Sequence, residues 1–155
     1  MFFRVNFNSQ TKENVVADRS VCQSGWDAAE GKCYLFQPQE AIKPDAKRFC
    51  YDLNASLLII QNAQQNAFLA SKLSPGESFW LRINDGKQEN NWVIDRWGYT
   101  KPTAVTPVSY FNWNANEIND DIKNSAKMDA DGTWSLVDRY ALSRFACQTD
   151  QGTTD

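Results

Sequence analysis

The sequence predicts an α+β domain in which two early helices precede a set of short strands. Apolar residues recur at helical spacing between Ala46 and Leu73, and beyond Pro75-Gly76 that period gives way to short alternating runs separated by turn residues. The four cysteines, an even number in a chain without histidine, fit a framework of two disulfides.

A chain of 155 residues is long enough for one domain with a real core, and 42% apolar and 23% charged residues suit a water-soluble protein. A net charge of −3 gives no general attraction to nucleic acid or to an anionic membrane. No apolar run approaches the roughly 18 residues of a membrane span. The start, Met1-Phe2-Phe3-Arg4-Val5-Asn6-Phe7, lacks the apolar core and cleavage site of a signal peptide. If the chain is secreted, it reads as a mature or excised fragment with an added Met1. No C-x-x-C occurs, which argues against a zinc ribbon or a redox dithiol. Without histidine there is no Ser-His or Cys-His pair, and no carboxylate stands in a context that suggests a raised pKa; an enzyme is not expected. Four cysteines leave three pairings open at this point.

Residues 1–20 alternate at first (Phe3, Val5, Phe7) and then turn polar, as an edge strand or the remnant of a preceding module would. A strand that pairs with a partner chain is the alternative. A helix is predicted from Pro44, with Ala46, Phe49, Cys50 and Leu53 on its apolar face. A second starts near Asn62, with Gln65 placed as in a capping box, and runs through Phe68, Leu69 and Leu73 until Pro75-Gly76. Phe79-Trp80-Leu81-Arg82-Ile83 alternates as a strand before an Asp85-Gly86 turn, and Asn91-Trp92-Val93-Ile94 is a second strand. Terminal hairpin strands follow at Ala126-Lys127-Met128, Thr133-Trp134-Ser135-Leu136 and Ser143-Arg144-Phe145-Ala146-Cys147. Asp129-x-Asp131-Gly132 lacks the remaining ligand positions of an EF-hand and reads as a hairpin turn.

Between Asp95 and Asn124 lies a long polar segment, rich in Asn, that carries Trp97, Tyr99, Tyr110, Phe111 and Trp113. Long loops in compact domains are usually functional or disordered. Rigid aromatics among adaptable polar groups suit a recognition surface. Trp97, Tyr99, Tyr110, Phe111, Glu117 and Asn119 are the candidate ligand-binding residues. Glu117, Asp120 and Asp121 form either a solvated acidic face or, with Asn119, a loop-only cation site. Trp26, Trp80, Trp92 and Trp134 read as core. Asn54-Ala55-Ser56 is a glycosylation acceptor triplet.

Taken in order, these residues resemble a C-type lectin-like domain. The match runs through Cys22…Gly25-Trp26, Cys33-Tyr34-Leu35-Phe36, Ala46…Phe49-Cys50, Leu57…Ile60, Phe79-Trp80-Leu81-Arg82-Ile83, Trp92, Asn112-Trp113, Met128…Gly132-x-Trp134 and Phe145-Ala146-Cys147. The resemblance implies a domain over residues 21–149, between an amino-terminal extension and a tail at 150–155. It implies two helices packed on small antiparallel sheets with a long loop region. Its pairing would be Cys22–Cys33, the hairpin of the family's long form, and Cys50–Cys147. An extracellular setting follows, secreted or as a receptor ectodomain, with a protein or glycan partner on a cell surface or in the matrix.

Three departures qualify the resemblance. Arg82 stands where the family's central strand usually has glycine, so its side chain needs room or an acidic partner. The second loop disulfide would need cysteines near Ser125 and Arg139, and neither is present; the loop is expected to be more mobile for it. The calcium and sugar motif is degenerate. Glu117-Ile118-Asn119 lacks the proline of Glu-Pro-Asn, and a cis peptide before Ile118 would cost about 2.5–4 kcal/mol. Trp134-Ser135-Leu136 replaces Trp-Asn-Asp, and Lys123 sits near the place of a later acid. The resemblance therefore implies a binding module that works without a metal cofactor. If calcium binds, its ligands would be Glu117, Asn119, Asp120 and Asp121, in a lectin with an altered site.

Overall fold

The computed structural model describes residues 21–86, 88–95, 106–117 and 122–150. The amino-terminal extension, Trp97, Tyr99, Asn119, Asp120 and Asp121 lie outside the described residues. Ten elements follow one another: β1 (Asp27–Ala29), β2 (Lys32–Ala41), α1 (Lys43–Asp52), β3 (Ser56–Leu57), α2 (Ala63–Ala70), β4 (Ser78–Asn84), β5 (Val93–Ile94), β6 (Ser125–Asp129), β7 (Trp134–Val137) and β8 (Ser143–Asp150). They divide into two compact units, of which the smaller holds residues up to Leu35 together with those from Thr149.

The smaller unit is a hairpin. β1 pairs with the start of β2 from Asp27↔Tyr34 to Ala29↔Lys32, across a turn in which Glu30 and Gly31 both take positive φ. Cys22 and Cys33 are disulfide-bonded, as the resemblance implies, and Lys32 pairs with the exposed Asp150 at 2.7 Å. That exposed ion pair contributes about 0–1 kcal/mol. Trp26, expected in the core, is only half-buried.

In the larger unit, residues 36–148, the sheet runs β2-β8-β4-β6-β7, with β3 on β8 and β5 on β4. The pairing is not wholly antiparallel, because β4 and β8 run parallel at Phe79↔Arg144. Strand β4 lies in the middle and does not alternate; from Ser78 to Leu81 every residue is buried. A strand with both faces covered reads as a continuous apolar run.

Helix α1 begins with Pro44 in its first turn, where a missing N–H costs nothing. It ends in a Schellman arrangement: Ala55 N–H donates to Cys50 O, Asn54 N–H donates to Tyr51 O (both 2.9 Å), and Asn54 has φ 59°. Its buried residues are Lys43, Ala46 and Cys50, whereas Phe49 and Leu53 stay 40% and 41% exposed. That corrects the apolar face read from the sequence. The small side chains of Ala46 and Cys50 bring α1 close enough for the Cys50–Cys147 disulfide, whose Cα atoms are 5.4 Å apart. The larger Phe49 is left at the margin, edge-on to Phe145.

Asn62 caps α2 by accepting the Gln65 N–H at 2.8 Å. Gln65 reaches back one residue further than a capping box does, taking the Gln61 N–H at 2.8 Å. The helix stops at Ala70, so Leu73 is buried from the turn that follows rather than from the helix. Arg82 finds its room in an irregularity: the β4–β6 register shifts between Trp80 and Asn84, and the Arg82 backbone bonds instead to Leu58 O and the Asp95 N–H.

Candidate functional site

Residues 106–117 return from the long segment and are clipped to the sheet by backbone bonds. Ile94 N–H donates to Thr106 O and Val108 N–H to Trp92 O, and Val93 bridges Pro107. Further on, Trp134 N–H donates to Asn112 O and Asn114 N–H to Trp134 O, each at 2.8 Å. These bonds lay Asn112-Trp113-Asn114 along β7. They also stack the aromatic residues. Trp113 sits 4.9 Å from Trp92 and 5.8 Å from Trp134 between ring centroids. Phe111 stacks on Trp113 at 6.1 Å, and Tyr110 meets Trp134 edge-on at 5.9 Å.

The cluster is graded from inside to outside. Trp134 and Trp92 are buried, Trp113 and Tyr110 are half-buried, and Phe111 is 42% exposed. Two sequence-predicted ligand residues, Tyr110 and Phe111, are thus brought together on a rigid aromatic base. Such a base offers flat apolar area at low entropic cost, which suits the apolar face of a sugar or an aromatic side chain of a protein.

Two residues beneath the cluster, Asn66 and Asn112, were given no role by the sequence reading. Asn66 on α2 accepts the Trp134 indole N–H at 2.8 Å and donates to Gly132 O at 2.9 Å. Asn112 donates to that same carbonyl at 2.7 Å. Gly132 has φ 89°, and a Cβ there would lie 3.2 Å from the Asn66 amide, so glycine is needed for both backbone and space. The Gly in the hairpin turn was visible; its two amide partners were not.

The base of the segment is held by charge. Lys43 on α1 lies 2.8 Å from Asp95 and donates to Ile83 O at 2.9 Å, with both side chains buried. Asn84 Nδ2 donates to the same carboxylate, and Arg82 Nε donates to Asp95 O at 2.8 Å. Burial alone pushes the Asp95 carboxyl up; the Lys43 ammonium, the bonds from Lys43 and Asn84, and the charge of Lys47 outweigh it and hold the carboxyl below its usual range. Burial likewise pulls Arg82 down from its ordinary value, partly opposed by the Asp95 charge.

The described donors do not make a calcium cage, which needs six to eight oxygens. Glu117 turns one oxygen to the Leu136 N–H at 2.7 Å. The Ser135 hydroxyl donates to Asp129, and the Leu136 side chain has no ligand atom to offer. Among the described residues no group of three acidic or metal-ligating side chains comes together. Asp85, read only as a turn residue, is buried; its Oδ2 accepts the Asn90 N–H at 2.8 Å, while Oδ1 has no partner among the described residues.

The model of the lectin C-type domain family matches residues 39–149. A human protein, C-type lectin domain family 17 member A, is 30% identical over 131 residues, which cover 84% of this chain and 32% of the relative. A human killer cell lectin-like receptor, subfamily F member 2, is 33% identical over 89 residues, 57% of this chain and 41% of its own length. The chain thus spans less than half the length of either of these two curated relatives. Among solved structures, the mouse scavenger receptor C-type lectin carbohydrate-recognition domain superposes with a TM-score of 0.71 at 26% identity, covering 86% of this chain and all of that one.

Proposed function

This chain belongs to the C-type lectin family, and from that membership we propose that it is an extracellular recognition module whose long loop binds a protein or glycan without calcium. The observation that carries this reading is the position of Glu117. Its carboxylate, the one acid kept from the family's sugar-binding motif, is bonded to the backbone of β7. Recognition then rests on the aromatic residues Tyr110 and Phe111 and, from the same segment, Trp97 and Tyr99. The partner would be a cell-surface or matrix ligand, in keeping with two disulfides of the kind that persist in oxidising compartments. The proposal involves no catalytic step.

Calcium titrated calorimetrically into chelator-treated protein should release no heat of binding, and millimolar calcium should leave the melting temperature unchanged. A ligand at 100 times its dissociation constant would add about 2.7 kcal/mol, a shift of several degrees. A chelator-reversible rise of that size would overturn the reading and assign the ion to Glu117, Asn119, Asp120 and Asp121.

A second expectation concerns the loop. Trp97→Ala, Tyr99→Ala and Phe111→Ala should each weaken the partner by more than about 1 kcal/mol, with little loss of stability. A glycan or cell-binding array probed with the variants checks it. Undiminished binding, together with loss on changing Phe3, Val5 and Phe7, would move the interface to the amino-terminal segment.

A further inference from the structure

Helix α1 closes on the one N-x-S/T triplet of the chain, Asn54-Ala55-Ser56. The backbone N–H groups of Asn54 and Ala55 are both spent on ending the helix, which holds Asn54 in the left-handed region while its side chain stays exposed. No hydrogen bond of that side chain is found among the described residues. The Ser56 hydroxyl donates only to its neighbour's carbonyl, Leu57 O, at 2.9 Å. Neither polar group is needed where it stands to hold distant parts of the fold together.

Next to the triplet in sequence lies an apolar pair that stays well exposed among the described residues. Phe49 and Leu53, four residues apart on one face of α1, are 40% and 41% exposed. The Phe49 ring is held in place edge-on against Phe145 at 5.4 Å. We propose that Asn54 carries an N-linked glycan whose inner sugars lie over Phe49 and Leu53. Sugar rings present C–H groups on one face and hydroxyls around the rim, so they can cover an aromatic ring and still face water.

The timing of synthesis favours modification. Ser56 pairs with Gln148 in the folded domain, and Cys50 waits for Cys147, which lies 97 residues later. At the usual rate that interval takes roughly 5–20 s, during which the triplet has not yet met its partner strand β8.

The inference rests on the extracellular reading above. Its test routes the full chain through a eukaryotic secretory pathway behind a supplied signal sequence. Intact mass before and after peptide-N-glycosidase should show one glycan. It should vanish in Asn54→Asp, which tolerates the left-handed backbone better than glutamine does, and persist in Ser56→Thr. Enzymatic removal from the folded protein should raise the fluorescence of an apolar-surface dye and speed amide exchange near Phe49. A secreted product with both disulfides and an unmodified Asn54 overturns the site while leaving the extracellular reading intact. A product retained with reduced cysteines overturns that reading as well. A glycan whose removal changes neither dye binding nor exchange overturns its place over α1.

Discussion

Replacing Trp80 with alanine is expected to cost about 3–5 kcal/mol, enough to unfold a domain of ordinary stability. Trp80 is fully buried in the middle strand of the sheet, with β6 on one side and β8 on the other. Its indole N–H also donates to Ala41 O at 2.8 Å, where β2 ends and α1 is about to begin. Alanine would leave a cavity and strip that carbonyl of its donor. Trp80→Phe keeps much of the volume but loses the N–H and part of the indole ring, so its loss should be nearer to about 1–3 kcal/mol. Denaturant midpoints compare the two. A Trp80→Ala protein that unfolds within 1 kcal/mol of the parent would show that the core does not depend on this strand.

The second large effect is expected at the buried pair beneath the loop. Lys43→Met removes the ammonium 2.8 Å from Asp95 and leaves a buried carboxylate with weaker support. Breaking a buried pair in this way costs about 3–5 kcal/mol, and the lower end applies because Arg82 and Lys47 still act on Asp95. The pH dependence gives a sharper check. In the parent the Asp95 carboxyl lies below its unfolded value, so the pair stabilises above about pH 4 and that contribution is lost as pH falls through the depressed value. In Lys43→Met the largest opposing charge is gone, so the carboxyl is expected to rise toward the value that burial favours. Protonation should then favour the folded form, and the gap between variant and parent should narrow on acidification. The double variant Lys43→Met/Asp95→Asn should recover much of the loss at neutral pH. If the gap is the same at pH 7 and pH 4, the pair is not the source of the loss.

What the sequence revealed was mostly local. Pro44 marks the start of α1, Asn62 and Gln65 mark the cap of α2, and Asp131-Gly132 marks the hairpin between β6 and β7, because each is a matter of neighbouring residues. The order of the cysteines among aromatic residues carried the family resemblance and, through it, both disulfides. Misreadings came where a distant partner decides the outcome. Phe49 and Leu53 have the spacing of core residues, but the approach of α1 to Cys147 is set by Ala46 and Cys50. Lys43 has no assigned role until Asp95 is placed against it, and nothing near either residue announces the other. Glu117 was recognisable as an acid in a ligand position. Only the course of residues 112–117 along β7 reveals that it meets a backbone N–H instead.

That last bond has a meaning for the behaviour of the protein in concentrated solution. Strand β7 is the outermost in its sheet, and an outer strand offers a row of unpaired N–H and C=O groups on which another chain can build. Here most of the row is occupied. Asn112 and Asn114 take the N–H and carbonyl of Trp134, and Glu117 takes the N–H of Leu136. A charged side chain over the edge also repels an approaching strand. The acid that the resemblance would devote to a metal holds the Leu136 N–H in this chain, and recruiting that oxygen to an ion would reopen the edge at Leu136.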